Sequence, residues 1–320
     1  MLVRRFITTE ILWLAKLGAN FKEEKIFMQI RGTLMLLGAS FFWGTTFVAQ
    51  MTGMEGLGAF SYAAARYFLG FLSLLLILFL TQKSRKKDLL RKKYSHGYIA
   101  GIFCGIFLFL ASSMQQISMQ YTTAGKAAFI TCLYIILVPL AAKFLGKKIF
   151  RENWIGAALA LIGLYFLAIN ESFSINFGDV ILFFSAFFWT AQIIFVDKFA
   201  MKVDLIELST AQIFLTTILS AICMIIFEEP VLENFLDAKI SIIYGGVMSA
   251  GVAFTLQLYG QKYVSPSIAA ILMSFESIFG AMSSSIILGE EMTMREIFGC
   301  VLMLSGIFVT QWEKFFGKKI

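Results

Sequence analysis

Three charged residues fall inside stretches that are otherwise apolar, and any chemistry is most readily sought there. Of 27 Lys and Arg, Arg66 and Lys126 lie within such stretches, and of 20 Asp and Glu, Glu276 lies near the middle of one. A charge placed in hydrocarbon costs about 2.5–3.5 kcal/mol on insertion scales, so it persists for a reason. Arg66, within AAARYFLG, carries a planar fork of donors suited to a carboxylate or phosphate. Glu276 could take a substrate amine or a proton. Both could instead be structural, Glu276 pairing with Arg66 or Lys126, and Arg66 pairing with Glu276 or with freed backbone carbonyls. Lys126 sits about one turn inside its stretch, shallow enough for its ammonium to reach the surface.

Amides and aromatics form a second set. Gln257 and Gln261 are four apart and share a helical face, and Gln115 and Gln116 sit in a similar stretch. Such amides line a wet cavity or bind helices together. Trp43 and Trp189 lie mid-stretch, although Trp favours interfaces, so they either pack helices or wall a site. Gly44, Gly53, Gly56, Gly58 and Gly70 crowd the first two apolar segments, where they would permit close helix contact or act as hinges.

Other chemistry is missing. No Walker motif points to ATP. There is no DDxxD-like carboxylate cluster and no Ser–His pair in an apolar stretch, and His96 stands alone in a basic loop. No catalytic residue, cofactor or metal site is expected. Cys104, Cys132, Cys223 and Cys300 lack CxxC spacing and read as reduced, buried fillers.

The elements that must position these residues are membrane helices. The chain is 59% hydrophobic with a mean hydropathy of +0.80, whereas soluble domains sit near about 45–50% apolar. Lipid must be its solvent. A span needs roughly 20 mostly apolar residues, and ten segments qualify: 31–53, 57–80, 97–118, 123–145, 153–170, 177–196, 205–227, 240–261, 266–288 and 295–312. The fold class is therefore an all-α membrane protein of ten transmembrane helices.

The chain also contains its own second copy. FLGKKIFRENWIGAALALIG (144–163) matches ILGEEMTMREIFGCVLMLSG (287–306), with Gly146, Gly156 and Gly163 falling on Gly289, Gly299 and Gly306 at a constant offset of 143. RGTLMLLGASFFWGTTF (31–47) matches 177–193 at offset 146, which pairs Trp43 with Trp189 and, further on, Arg66 with Gln212. Residues 112–128 match 254–270 at offset 142, pairing Gln115 with Gln257, and the same offset sets Tyr134 opposite Glu276. Each copy holds five helices, so the second must enter from the other side. Two inverted five-helix repeats point to a secondary transporter with its site between the halves. Expected substrate-site residues are Arg66, Glu276, Gln115, Gln257, Trp43, Trp189, Tyr134, Lys126 and Gln212.

Charge sets the orientation. Loop 81–96 carries seven Lys and Arg, loop 146–152 carries Lys147, Lys148 and Arg151, and loop 197–204 carries Lys198 and Lys202; Glu228, Glu229, Glu233 and Asp237 lie on the other side. Basic loops stay inside, so both termini are expected in the cytoplasm of a multi-pass protein in a bacterial inner or plasma membrane. The net charge of +7 follows from these loops and does not indicate nucleic-acid binding. Residues 1–28 read as a cytoplasmic leader, with Met28 as an alternative start. Residues 29–172 form the first repeat, and 173–320 the second with a short basic tail.

GASFFWGTTFVAQ, YTTAGKAAFITCLYIILVPL and the doubled LG-x-x…G…G ending resemble the ten-helix EamA-type permeases of the drug/metabolite transporter superfamily, over roughly residues 29–313. The resemblance implies a central cavity between inverted repeats and transport, often export, of small metabolites such as amino acids. This chain departs from the family pattern where Ser277, not proline, follows Glu276, and where Lys147 and Lys148 replace the acidic residue after Leu-Gly. Its expected partners are a small-molecule substrate and the bilayer, as a monomer or homodimer. A passive facilitator, a membrane enzyme and a receptor-like binding protein remain the other readings.

Overall fold

The computed structural model describes residues 21–54, 56–90, 95–122, 124–169, 175–289 and 292–316. These are helical throughout, with a single isolated bridge pair, Ser95 with Val203. In chain order the helices are α1 (Phe21–Gly53), α2 (Ala59–Leu90), α3 (Tyr98–Ser118), α4 (Ala124–Thr131), α5 (Tyr134–Phe144), α6 (Arg151–Ala168), α7 (Phe177–Phe199) and α8 (Leu205–Phe227). The short α9 (Leu232–Asp237) follows, then α10 (Lys239–Tyr244), a π-helical segment (Gly245–Ala253) and α11 (Phe254–Gln261), which run on as one rod. α12 (Pro266–Met273), α13 (Glu276–Leu288) and α14 (Met294–Phe316) complete the bundle. Residues 1–20 of the expected leader lie outside the described residues.

Helices dominate because a backbone in lipid must satisfy its own hydrogen bonds. Eight helical stretches among the described residues are long and apolar enough to cross a membrane. The closing helices α6 and α14 are not among them; α6 spends its first turn on Arg151, Glu152 and Asn153. Burial is inverted relative to a soluble protein. Phe79, Ile99, Ile225 and Ile286 are each more than 70% exposed, while Arg66, Gln192, Gln212, Gln257 and Gln261 are buried. Apolar surface faces lipid and the polar groups face inward, the arrangement that costs least in a bilayer. Of the four cysteines, all free, Cys104 and Cys132 are buried, but Cys223 and Cys300 are only partly so, which corrects the reading of all four as buried fillers.

The packing is interleaved. α1 packs against α10, the π segment and α11, and against α12 and α13; α7 packs against α3 and against α4 and α5. Gly32 of α1 meets Gly260 and Tyr263, while Gly178 of α7 meets Ser118 and Tyr121. α6 and α14 pair along their length, with Gly156 on Gly306 and Gly163 on Gly299. A Cβ at Gly163 would stand 2.5 Å from the Gly299 carbonyl oxygen. Backbones touch at these points because no side chain intervenes, as small residues allow in membranes.

Two polar clamps close opposite ends of the bundle. On one face, Ser95 N donates to Lys202 O and Asp204 N to Ser95 O, each at 2.9 Å, tying the residues before α3 to the connection between α7 and α8. Beside them the buried Glu207 accepts Gly97 N at 2.9 Å and contacts His96 Nδ1 at 3.0 Å. On the other face, the Glu228 carboxylate accepts Phe60 N at 2.8 Å and Ser61 N at 2.7 Å, capping α2 from outside that helix. A carboxylate at a helix N-terminus satisfies free amides and complements the helix dipole.

Candidate functional site

Two helices are interrupted at the same depth. α4 stops at Thr131 and α5 resumes at Tyr134, just as α12 stops at Met273 and α13 resumes at Glu276. The second break forms without a proline at 277. Its turn is tightened into i→i−3 bonds, Phe275 N to Leu272 O at 3.3 Å and Ser277 N to Ser274 O at 3.1 Å. Hydroxyls take up the carbonyls around it: Ser274 Oγ donates to Ile271 O at 2.8 Å, and Ser40 Oγ of α1 donates to Leu272 O at 2.8 Å. Gly44 of α1 lies against the same place, where an added Cβ would come within 2.5 Å of the Glu276 carbonyl oxygen. Hydroxyls re-satisfying freed backbone groups are what allow a broken helix in a membrane.

Glu276 and Tyr134, each the first residue of a resumed helix, face one another. The Tyr134 hydroxyl lies 3.5 Å from Glu276 Oε1 and Cys132 Sγ lies 3.7 Å from the same oxygen. Both residues line a central cavity, as do Arg66, Trp43, Trp189, Gln115 and Gln257. The space open to the centre of a water molecule is about 50 Å³.

Arg66 is 6% exposed. Its Nη2 donates to Tyr67 Oη at 2.9 Å and its guanidinium carbon lies 4.6 Å from the Tyr67 ring centroid. Its Nε has no hydrogen-bond partner, and among the described residues no carboxylate forms an ion pair with it. The structural pairing of Arg66 with Glu276 is therefore not made here. The glycines of the π segment let it approach α2 closely: a Cβ added at Gly245 would stand 2.9 Å from Tyr62 Oη and 3.5 Å from Arg66 Cδ, and one at Gly246 would stand 2.7 Å from the Arg66 carbonyl oxygen. π turns within α-helices occur often at functional sites.

Aromatic faces wall the cavity. Phe254 meets Trp43 edge-on at 5.0 Å between centroids, and lies parallel to Trp189 at 6.4 Å. Both indole N–H groups are buried without a partner. Unpaired donors therefore dominate the site, which favours a ligand rich in acceptors.

Seven of the nine sequence-derived residues thus meet at one place. Gln212 does not line the cavity; it is buried behind it, where Gln192 Nε2 approaches its Oε1 at 3.5 Å. Gln192 in turn accepts from Gln257 Nε2 at 2.9 Å, so these three amides hold α7, α8 and α11 together. The Lys126 side chain lies outside the described residues. The structure adds lining residues that sequence reasoning passes over, among them Phe47, Gln50, Tyr67, Ser249, Phe254 and Met273.

This arrangement, a many-helix apolar bundle with broken helices around a polar centre, is that of a membrane transporter. The chain belongs to the EamA-like transporter family, which matches it twice, over residues 30–169 and 176–312. It is 28% identical over 268 residues to an uncharacterized transporter of Archaeoglobus fulgidus, covering 83% of this chain and 81% of that one. It is 24% identical to the uncharacterized transporter YoaV of Bacillus subtilis, covering 88% and 96%. It is 21% identical to the uncharacterized inner membrane transporter YedA of Escherichia coli, covering 88% and 94%. A solved crystal structure shares the fold with a TM-score of 0.73 at 19% identity, covering 88% of this chain and 96% of that one.

Proposed function

We propose that the protein is a secondary transporter that exports a small carboxylate-bearing metabolite, such as an amino acid, by alternating access. One observation carries this reading: Arg66 and Glu276 open onto the same buried cavity, unpaired with each other, among orphaned N–H donors. Arg66 binds the substrate carboxylate through its fork, a strong and geometrically selective contact in a dry site. Glu276 takes the substrate amine or a proton. Trp43, Trp189, Gln115 and Gln257 shape the cavity. Protonation of Glu276 favours one facing state, and that differential affinity couples a proton gradient to movement. Direction follows the family resemblance.

In this reading the chain is ten spans in two inverted five-helix repeats, residues 29–172 and 173–320, with α6 and α14 as the closing pair. The reciprocal contacts support it. Gly156 on Gly306 and Gly163 on Gly299 are the pairs a two-fold axis makes from sequence mates. So is the match between Gly32 on Gly260 and Gly178 on Ser118. Both termini and the basic loops lie in the cytoplasm. The Ser95–Lys202 tie puts two of those loops on one face, and Glu228 caps α2 at the other.

Two measurements test the reading. In proteoliposomes, saturable counterflow of a labelled amino acid marks a carrier. Flux without saturation marks an open channel, and product without flux marks an enzyme. In intact cells lacking other reactive cysteines, an impermeant maleimide is expected to label Glu233→Cys but not Asp88→Cys; the reverse pattern overturns the orientation.

A further inference from the structure

A second opening lies away from the central cavity, on the face of the bundle that carries the loop between α5 and α6. Its volume is about 240 Å³, and that loop, the start of α6 and the N-terminus of α12 wall it. Three features of this cleft suit an anion.

The first is an uncapped helix end. α12 begins at Ser265 and Pro266 with no side-chain cap, and its first internal bond runs from Ala269 N to Ser265 O at 2.9 Å. The amides of Ser267 and Ile268 precede that bond and point out of the helix start, where the dipole is positive. The second is the Ser267 hydroxyl. Ser267 lines the cleft, is 1% exposed and has no hydrogen-bond partner for its Oγ. A buried hydroxyl left unpaired is costly, so an acceptor delivered by a ligand is favoured there. The third is charge. Lys147, Lys148 and Glu152 line the cleft, and the cation of interest is Lys148. Asp197 holds Lys147, whereas among the described residues Lys148 has no ion-pair partner and is exposed.

We propose that this cleft binds a phosphate oxyanion, supplied as the phosphodiester headgroup of an anionic lipid. Helix N-termini with free amides bind such groups. The surroundings favour the lipid source: Phe144, Leu145 and Phe150, beside the lysines, are 90%, 65% and 57% exposed, as side chains that enter the acyl boundary would be. A soluble phosphate offers the same oxygens without acyl chains, so the two sources separate experimentally.

The full-length protein is melted in nanodiscs of phosphatidylcholine alone and of phosphatidylcholine with one-fifth phosphatidylglycerol. It is also melted in detergent with inorganic phosphate or with chloride at equal ionic strength. Phosphatidylglycerol is expected to raise the melting temperature, and Lys148→Gln combined with Ser267→Ala to remove most of that rise while melting like wild type in phosphatidylcholine. Should the double variant fail to fold, Lys148→Gln alone, a surface change, is expected to lower the apparent affinity for phosphatidylglycerol several-fold. A rise with inorganic phosphate and none with phosphatidylglycerol would overturn the lipid as occupant. The site itself is overturned if neither phosphate source shifts the wild type, or if the variants respond as the wild type does.

Discussion

Arg66→Lys is expected to lower kcat/KM for counterflow about a hundredfold while the protein still reaches the membrane. Lysine keeps the charge but replaces a planar fork with a point donor, so one of two parallel hydrogen bonds to a carboxylate is lost. A hydrogen bond to a charged group contributes about 1.5–3 kcal/mol, and a factor of 100 corresponds to about 2.7 kcal/mol. Arg66→Gln, which installs the amide found at the repeat mate Gln212, removes the charge altogether and should reduce transport further. Initial rates in proteoliposomes and yield on gel filtration separate the two roles. Near-normal transport by Arg66→Lys would remove Arg66 from the substrate site. Loss of folded protein in both variants would make it a structural group, held by Tyr67 and the π segment.

Glu276→Gln should abolish uptake driven by a pH gradient yet leave substrate exchange at equal pH largely intact. Glutamine matches the shape of a protonated glutamate, so it fixes the site in one charge state and removes the bias between facing states. The readouts are accumulation with and without an imposed gradient, compared with counterflow in the same vesicles. Unchanged pH-driven accumulation would end the coupling role. Loss of both activities with normal folding would instead assign Glu276 to the substrate amine.

The neighbourhood of these two residues is readable in the chain to an uneven degree. Tyr134 and Glu276 come together as their shared offset implies, and Trp43, Trp189, Gln115 and Gln257 join them, because a doubled pattern maps one half onto the other without any knowledge of side-chain packing. Gln212, placed with them by the same mapping, does not line the cavity. Its mate Arg66 lines the cavity, whereas Gln212 is approached by Gln192, which also accepts from Gln257. Gln192 has a signal in the chain, three residues beyond Trp189 on the same helical face. The break before Glu276 has no local signal, since Ser277 stands where a proline would announce it. One of its supports comes from Ser40, 232 residues away, which reaches the Leu272 carbonyl. The π segment is equally silent. Its repeat counterpart lies in the ordinary helix α3, where Gly105 meets the Gln212 carbonyl as Gly246 meets the Arg66 carbonyl, so glycine packing does not set the two apart.

The small volume of the central cavity bears on how tightly this protein can hold anything. Space of about 50 Å³ for water centres accommodates a few waters, each needing about 10–15 Å³, which leaves little room for a substrate larger than that. If the roomy form is a minor fraction of the empty protein, the apparent dissociation constant is the intrinsic one divided by that fraction. Strong chemistry at Arg66 would then coexist with weak measured binding. A substitution that props the walls open, or an antibody fragment that selects the roomy form, would tighten equilibrium binding while slowing turnover.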